Sequence, residues 1–137
     1  MIKLYIASDI ILDLLLKRYD YYNNAAELMT KIDKRKYKGY TTPLVIANIH
    51  YIMTKFGGKK KSIKNIRKLR KLISILSIDE KIVDEALLSD NTDFEDAIQY
   101  ITSEKNNIDF IITRNKGDFK NSKLPVLNAK EFLRIEK

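Results

Sequence analysis

The sequence predicts an α/β fold, a three-layer α/β/α sandwich around a mainly parallel central sheet, and three observations lead there. Short apolar runs rich in strand formers alternate with stretches of helical periodicity. Short buried strands alternating with helices imply a mainly parallel sheet covered on both faces. No internal repeat or low-complexity linker divides the chain, and 137 residues suit one core, so residues 1–137 are read as a single domain.

The elements follow in order. Lys3 to Ala7 reads as a strand, Ser8-Asp9 precedes a helical stretch from Ile10 to Arg18, and a second helix is predicted over Tyr21 to Lys34. Lys38 to Thr42 is a short strand ending at Pro43, which suits the first turn of a helix running to Lys55. Gly57-Gly58 punctuates the chain. Ile63, Ile66, Leu69, Ile73 and Leu76 then recur at near-helical spacing, so the charges between them face water. A short strand over Leu76 to Ile78, a helix from Asp79 to Leu88, a polar break at Ser89-Asp90-Asn91-Thr92 and a helix from Asp93 to Lys105 come next. A strand at Ile108 to Thr113, a last one at Pro125-Val126-Leu127 and a terminal helix complete the reading. Ligands of parallel sheets sit beyond the carboxyl ends of the strands, so the acids of interest are those just after strands, and Asp9 is the first of them.

Composition narrows the chemistry. With no cysteine, disulfides, thiolate catalysis and thiolate zinc sites are excluded, and with His50 as the one histidine a double-histidine mechanism is excluded too. Any metal must be held by oxygen. No apolar run approaches the ~20 residues that span a bilayer, and a strand followed at once by an acid is unlike a secretory signal, so a cytoplasmic location and no membrane partner are expected. The net charge is +8, yet residues 55–71 alone carry nine cations and no acid, leaving the rest of the chain at −1. A basic strip on a nearly neutral body suits a phosphate backbone; a solvated lysine-rich helix face is the plainer reading. Lys59, Lys60, Lys61, Lys64, Arg67, Lys68 and Lys71 are its RNA-binding candidates.

Three polar clusters carry the chemistry. On the helix from Asp93, Phe94, Ala97, Ile98 and Ile101 form one apolar stripe with Asp93, Asp96 and Tyr100 on its flank and Glu95 and Gln99 opposite. Two carboxylates one turn apart are candidates for a shared metal, though Asp93 equally suits an N-cap. Asn48 falls on the face of Leu44, Ala47 and Tyr51, where an amide needs a partner, structural or functional. Finally, Ile111-Ile112 runs straight into Thr113, Arg114, Asn115 and Asp118, either a strand-end site or a surface turn. His50 reads as structural or incidental, and Asp13, amid Ile10 to Leu16, as a buried-acid candidate, either a group supporting the site from behind or simply the helix's polar edge. The eight tyrosines read mainly as packing residues. No P-loop or GxGxxG pattern is present.

Asp9 after the first strand, the Thr42-Pro43 helix start, Asp93-Phe94-Glu95-Asp96-Ala97 and Thr113-Arg114-Asn115-Lys116-Gly117-Asp118-Phe119, in that order and spacing, resemble a PIN-domain protein of the VapC-toxin type. The resemblance covers essentially the whole chain. It implies the sandwich fold, Mg²⁺- or Mn²⁺-dependent RNA cleavage, dimerisation and silencing by an antitoxin. Asp9 matches the first family acid and Asp96 the acid on the later helix. The second acid falls near Asn48 and the acid after the strand-end threonine at Asn115, two amides that reduce the negative charge, with Asp118 and Asp93 as substitutes. The implied catalytic set is Asp9, Asp96, Asp93 and Asp118, the direct metal ligands Asp9, Asp96 and Asp118, with Asn48, Asn115 and Thr113 in support and Arg114 on phosphate. Two rivals remain: a non-catalytic RNA-binding module on the same fold, and a receiver-like domain with Asp9 as phosphoryl acceptor.

Overall fold

The computed structural model describes residues 1–89 and 93–136. Of the expected polar break, Asp90, Asn91 and Thr92 lie outside the described residues.

Five strands form one parallel sheet: β1 (Lys3–Ile6), β2 (Lys38–Thr41), β3 (Ile73–Ile75), β4 (Phe110–Ile112) and β5 (Val126–Leu127), in the order β3-β2-β1-β4-β5. Helices α1 (Ser8–Leu15), α2 (Tyr22–Asp33), α3 (Pro43–Arg70), α4 (Glu80–Leu87), α5 (Phe94–Lys105) and α6 (Ala129–Ile135) connect and cover it. Leu4, Tyr5, Ile6, Ile111 and Ile112 are all inaccessible to solvent, as the two middle strands of a sheet covered on both faces must be. The sandwich read from the sequence is the observed fold, with one continuous core.

Successive strands step from β1 to β2 to β3 on one side, and β4 then returns to the other side of β1. The order therefore reverses between β1 and β4, and a parallel sheet opens a crevice at that switch point beyond its carboxyl edge. Asp9 follows β1 and Thr113 follows β4, so both stand at this crevice.

Several local expectations need correction. The helix after β1 begins at Ser8, which places Asp9 within its first turn rather than before it. The third strand is Ile73–Ile75 rather than Leu76 to Ile78: the run from Ile73 to Ile78 suits a strand in either frame, and pairing of Gly39 with Ile73 and Thr41 with Ile75 selects the earlier one. Ile73 therefore belongs to the sheet and not to the preceding helical stripe, where Leu69 is buried as expected but Ile63 is exposed and Ser62 is buried in its place. Gly57-Gly58 does break the long helix: Gly58 sits at φ 85° and ψ 168°. The two arms meet where His50 Nδ1 lies 2.8 Å from the buried hydroxyl of Ser62, which gives the lone histidine a structural role.

Candidate active site

The crevice is organised around Asp9. Its carboxylate accepts the main-chain N–H of Ile10 at 2.9 Å, the hydroxyl of Thr113 at 3.2 Å on Oδ1 and 3.1 Å on Oδ2, and the main-chain N–H of Arg114 at 2.7 Å. Thr113 is buried and its hydroxyl oxygen accepts the Asn115 N–H at 3.1 Å. Strand β4 thus ends in a loop whose first donors all converge on the acid that follows β1.

A second cluster lies on α5 and the short 3-10 turn Lys116–Phe119, which pack together. Burial first, then the charges of Asp118, Asp93 and Glu95, push the Asp96 carboxyl up to about 6. Asp118 is exposed and faces Asp96 from the turn, while the adjoining Phe119 is buried and pins that turn to the core. Asp93 is exposed and caps α5, its Oδ1 accepting the N–H groups of Glu95 at 2.9 Å and Asp96 at 3.3 Å. It therefore performs the capping role that competed with a ligand role in the sequence.

Beneath the strand ends, buried Tyr5 donates its hydroxyl to Gln99 Oε1 at 2.8 Å and lies 3.2 Å from the Thr42 hydroxyl. Burial raises the Tyr5 phenol well above its ordinary value, so it stays neutral. This chain of hydrogen bonds joins β1, the start of α3 and the middle of α5, fixing the bases from which Asp9 and Asp96 project.

Four placements differ from the sequence reading. The face of α3 bearing Leu44, Ala47, Asn48 and Tyr51 is largely solvent-exposed, and Val45, Ile49 and Met53 make the buried face, so the exposed Asn48 amide needs no buried partner. Gln99 is buried rather than opposite the packed stripe, and Phe94 is 42% exposed rather than packed, because every residue from Ala97 to Ser103 is covered and the helix has no single apolar side. Arg114 is not a free cation: Nε and Nη2 each donate at 2.9 Å to Asp13, and the guanidinium lies 3.8 Å from the ring centre of Tyr21. Asp13 itself is 1% exposed. Its position one helical turn after Asp9 was the signal in the sequence that both acids share a face of α1. The fourth concerns the metal ligands: among the described residues, no three acidic or histidine side chains gather at the spacing of a single ion, so Asp9, Asp96 and Asp118 are not drawn into one cage.

The basic residues Lys59, Lys60, Lys61, Lys64, Arg67, Lys68 and Lys71 are all exposed along the second arm of α3 and its end. Lys61 and Lys68 join Lys17 on the rim of a groove of about 600 Å³ floored by Leu16, Met53 and Phe56, beside the end of α1 opposite Asp9. Asn115 is an exposed amide at the mouth of the β4 loop.

With this geometry in view, the matches to known proteins are informative. The PIN domain family model matches residues 3–117. The chain belongs to the PIN-domain family. Among curated proteins it is 22% identical over 135 residues to Ribonuclease VapC1 of Aquifex aeolicus, covering 95% of this chain and 92% of that protein. Among solved structures of the same fold, VapBC2 from Rickettsia felis bound to a DNA fragment from its promoter superposes with a TM-score of 0.66 at 17% identity, covering 93% of this chain and 98% of the other. VapBC-1 from nontypeable Haemophilus influenzae gives 0.65 at 15%, covering 95% and 99%. Mycobacterium tuberculosis VapC20, described as a sarcin-ricin loop cleaving toxin, gives 0.64 at 13%, covering 79% and 86%. No described helix of this PIN-domain chain is long and apolar enough to cross a membrane.

Proposed function

We propose that this PIN-domain protein is a metal-dependent endoribonuclease, the toxin of a toxin–antitoxin pair, that hydrolyses RNA phosphodiesters in the cytoplasm. The observation that carries the reading is the Asp9 carboxylate, held by three donors at the β1/β4 switch point with the Asp96–Asp118 pair on the neighbouring helix and turn. Membership of the family and the curated ribonuclease relative support the reaction class. The neighbouring VapBC structures support an antitoxin as protein partner, and the family resemblance supports a second copy of this chain as another.

The side chains suit Mg²⁺ or Mn²⁺. Carboxylate oxygen is the donor such ions prefer, and Mg²⁺ keeps several waters, needing one or two protein carboxylates rather than a closed cage. The raised Asp96, half-buried and facing the charges of Asp118, Asp93 and Glu95, is the electrostatic situation that a divalent ion relieves. Asp9 and Asp96 are the proposed ligands, Asp118 acts directly or through water, and Asp93 shapes the field while capping its helix. When bound, the ion supplies charge neutralisation at the phosphate and a more acidic water. The chain's own part is to keep Asp9 oriented through Thr113 and Arg114, to tie the helix that carries Asp96 to β1 through the Tyr5–Gln99 bond, and to offer Asn48 and Asn115 as neutral groups to substrate or water. The basic arm of α3 would hold the RNA backbone by charge.

Specific observations favour a second reading, an RNA-binding module on the same fold with little or no catalysis: Asn48 and Asn115 stand where acids are expected, and three acids do not cluster among the described residues. Incubating a structured RNA pool with wild-type protein and Asp9→Asn, with Mg²⁺ or Mn²⁺ and then chelator, separates the two. Metal-dependent cutting lost in the variant supports the nuclease. RNA binding without cutting under any metal supports the module.

A further inference from the structure

Asp13 is the most thoroughly buried acid of α1, and no step of the proposed reaction uses it. It lies one helical turn after Asp9, and both carboxylates meet the same residue of the opposite loop by different routes. Asp9 Oδ2 receives the main-chain N–H of Arg114 at 2.7 Å; Asp13 receives its side chain through two parallel bonds of 2.9 Å, Nε to Oδ2 and Nη2 to Oδ1. Arg18 Nη1 adds a longer contact of 3.4 Å to Asp13 Oδ1, so the buried charge faces two guanidinium groups. Tyr21, at the N-cap of α2, covers the Arg114 fork, its ring centre 3.8 Å from the guanidinium. On its outer side the group borders a small pocket of about 230 Å³ that also includes Asp20, Asn24, Asn128 and Lys130.

We infer that Asp13 is a positioning residue for Asp9: through the Arg114 fork it fixes the backbone of the β4 loop, so that the Arg114 N–H and Thr113 hydroxyl are aimed at the Asp9 carboxylate. A two-bonded guanidinium on a buried acid fixes direction as well as distance, which a single-point lysine contact does not. The arrangement also occupies the Arg114 guanidinium, whose charge feels that of Asp9. Released from Asp13, Arg114 is long enough to turn its charge onto Asp9 and compete there with a metal ion. The meaning of this staple for catalysis rests on the ribonuclease reading; its effect on Asp9 does not.

The test uses the full chain and reads two quantities without RNA. Amide hydrogen exchange by NMR follows the Arg114 N–H against the β4 amides of Ile111 and Ile112, and calorimetry measures Mn²⁺ affinity. In Asp13→Asn and in Arg114→Lys the Arg114 amide is expected to lose protection while Ile111 and Ile112 keep theirs, and Mn²⁺ affinity is expected to fall about tenfold or more, the scale seen when a group supporting a metal ligand is removed. Asp9→Asn serves as the reference for complete loss. Should Asp13→Asn fail to fold, Arg114→Lys, which retains both charge and N–H, decides the matter alone. Unchanged Arg114 protection and Mn²⁺ affinity in a variant that is merely less stable would overturn the inference. Lost protection in the variants, with no Mn²⁺ bound even by the wild type, would keep the staple and remove the ribonuclease reading instead.

Discussion

The Thr113 hydroxyl stands 3.2 Å and 3.1 Å from the two carboxylate oxygens of Asp9, spanning 104 residues of sequence, and at the same time accepts the Asn115 N–H. Thr113→Val keeps the shape, removes the donor to Asp9 and leaves a main-chain N–H without its acceptor. Its expected cost is about 1–3 kcal/mol of stability, the range for an unmade buried hydrogen bond, together with weakened RNA cleavage. Thr113→Ser should recover most of both. Urea denaturation beside a cleavage assay checks this; a valine variant with wild-type values in both would remove Thr113 from the site.

Asp96 makes stability depend on pH in an unusual direction for an acid. Its folded value near 6 lies above the ordinary 3.8, so the folded, metal-free protein binds this proton more tightly than the unfolded chain does. The contribution is therefore fully favourable below about 4 and is lost as pH rises through about 6. Asp96→Asn is expected to raise the melting temperature of the metal-free protein at pH 7 by a few degrees and to lose that advantage at pH 4. A melting series from pH 4 to pH 8 with chelator would show it, and a constant difference between the two proteins would contradict it.

Gly58 joins the arms of α3 at φ 85° and ψ 168°, a backbone region that L side chains rarely adopt, although an added Cβ would meet nothing within 4 Å. Gly58→Ala isolates the backbone cost, expected at roughly 1–3 kcal/mol. Equilibrium unfolding measures it, and weakening of the His50–Ser62 contact should appear as altered histidine ring resonances.

The basic arm makes a claim about salt. Replacing Lys59, Lys60 and Lys61 by glutamine should weaken RNA binding without shifting the melting temperature, since all three are exposed. If each contacts a backbone phosphate, the slope of log affinity against log salt should become shallower by about 2 on single-stranded RNA. An unchanged slope would assign those lysines to the solvated face that any charged helix presents.

Parallel strands, their helices and the acid after β1 were readable because burial on both sides leaves a continuous apolar signature and because Asp9 interrupts it at a strand end. What stayed hidden depended on three-dimensional neighbours. Asn48 and Val45 lie on adjacent stripes of a helix whose periodicity suits either face, and only the sheet decides which is covered. Gln99 was misplaced because α5 is enclosed all round in its middle, which erases the amphipathic pattern. The spacing of Asp13 from Asp9 was visible, yet its meaning required knowing that Arg114, 101 residues away in sequence, returns to the same helix face. The frame of β3 was ambiguous because Ile73 and Ile75 alternate in one frame and Leu76 and Ile78 in the other, so two registers suit the same run.

The sheet order also fixes when the site can exist. β1 lies in the middle of the sheet, but its partner on one side, β4, pairs Leu4 with Phe110 and is made only after β2 and β3. While the chain is emerging from a ribosome, Asp9 has neither Thr113 nor Arg114 to hold it until β4 and its loop have been made, and β1 keeps one bare side for that time. The site is therefore assembled late relative to the strand that bears its central acid, and until β4 has been made the bare side of β1 is open to any other strand or partner that can cap it.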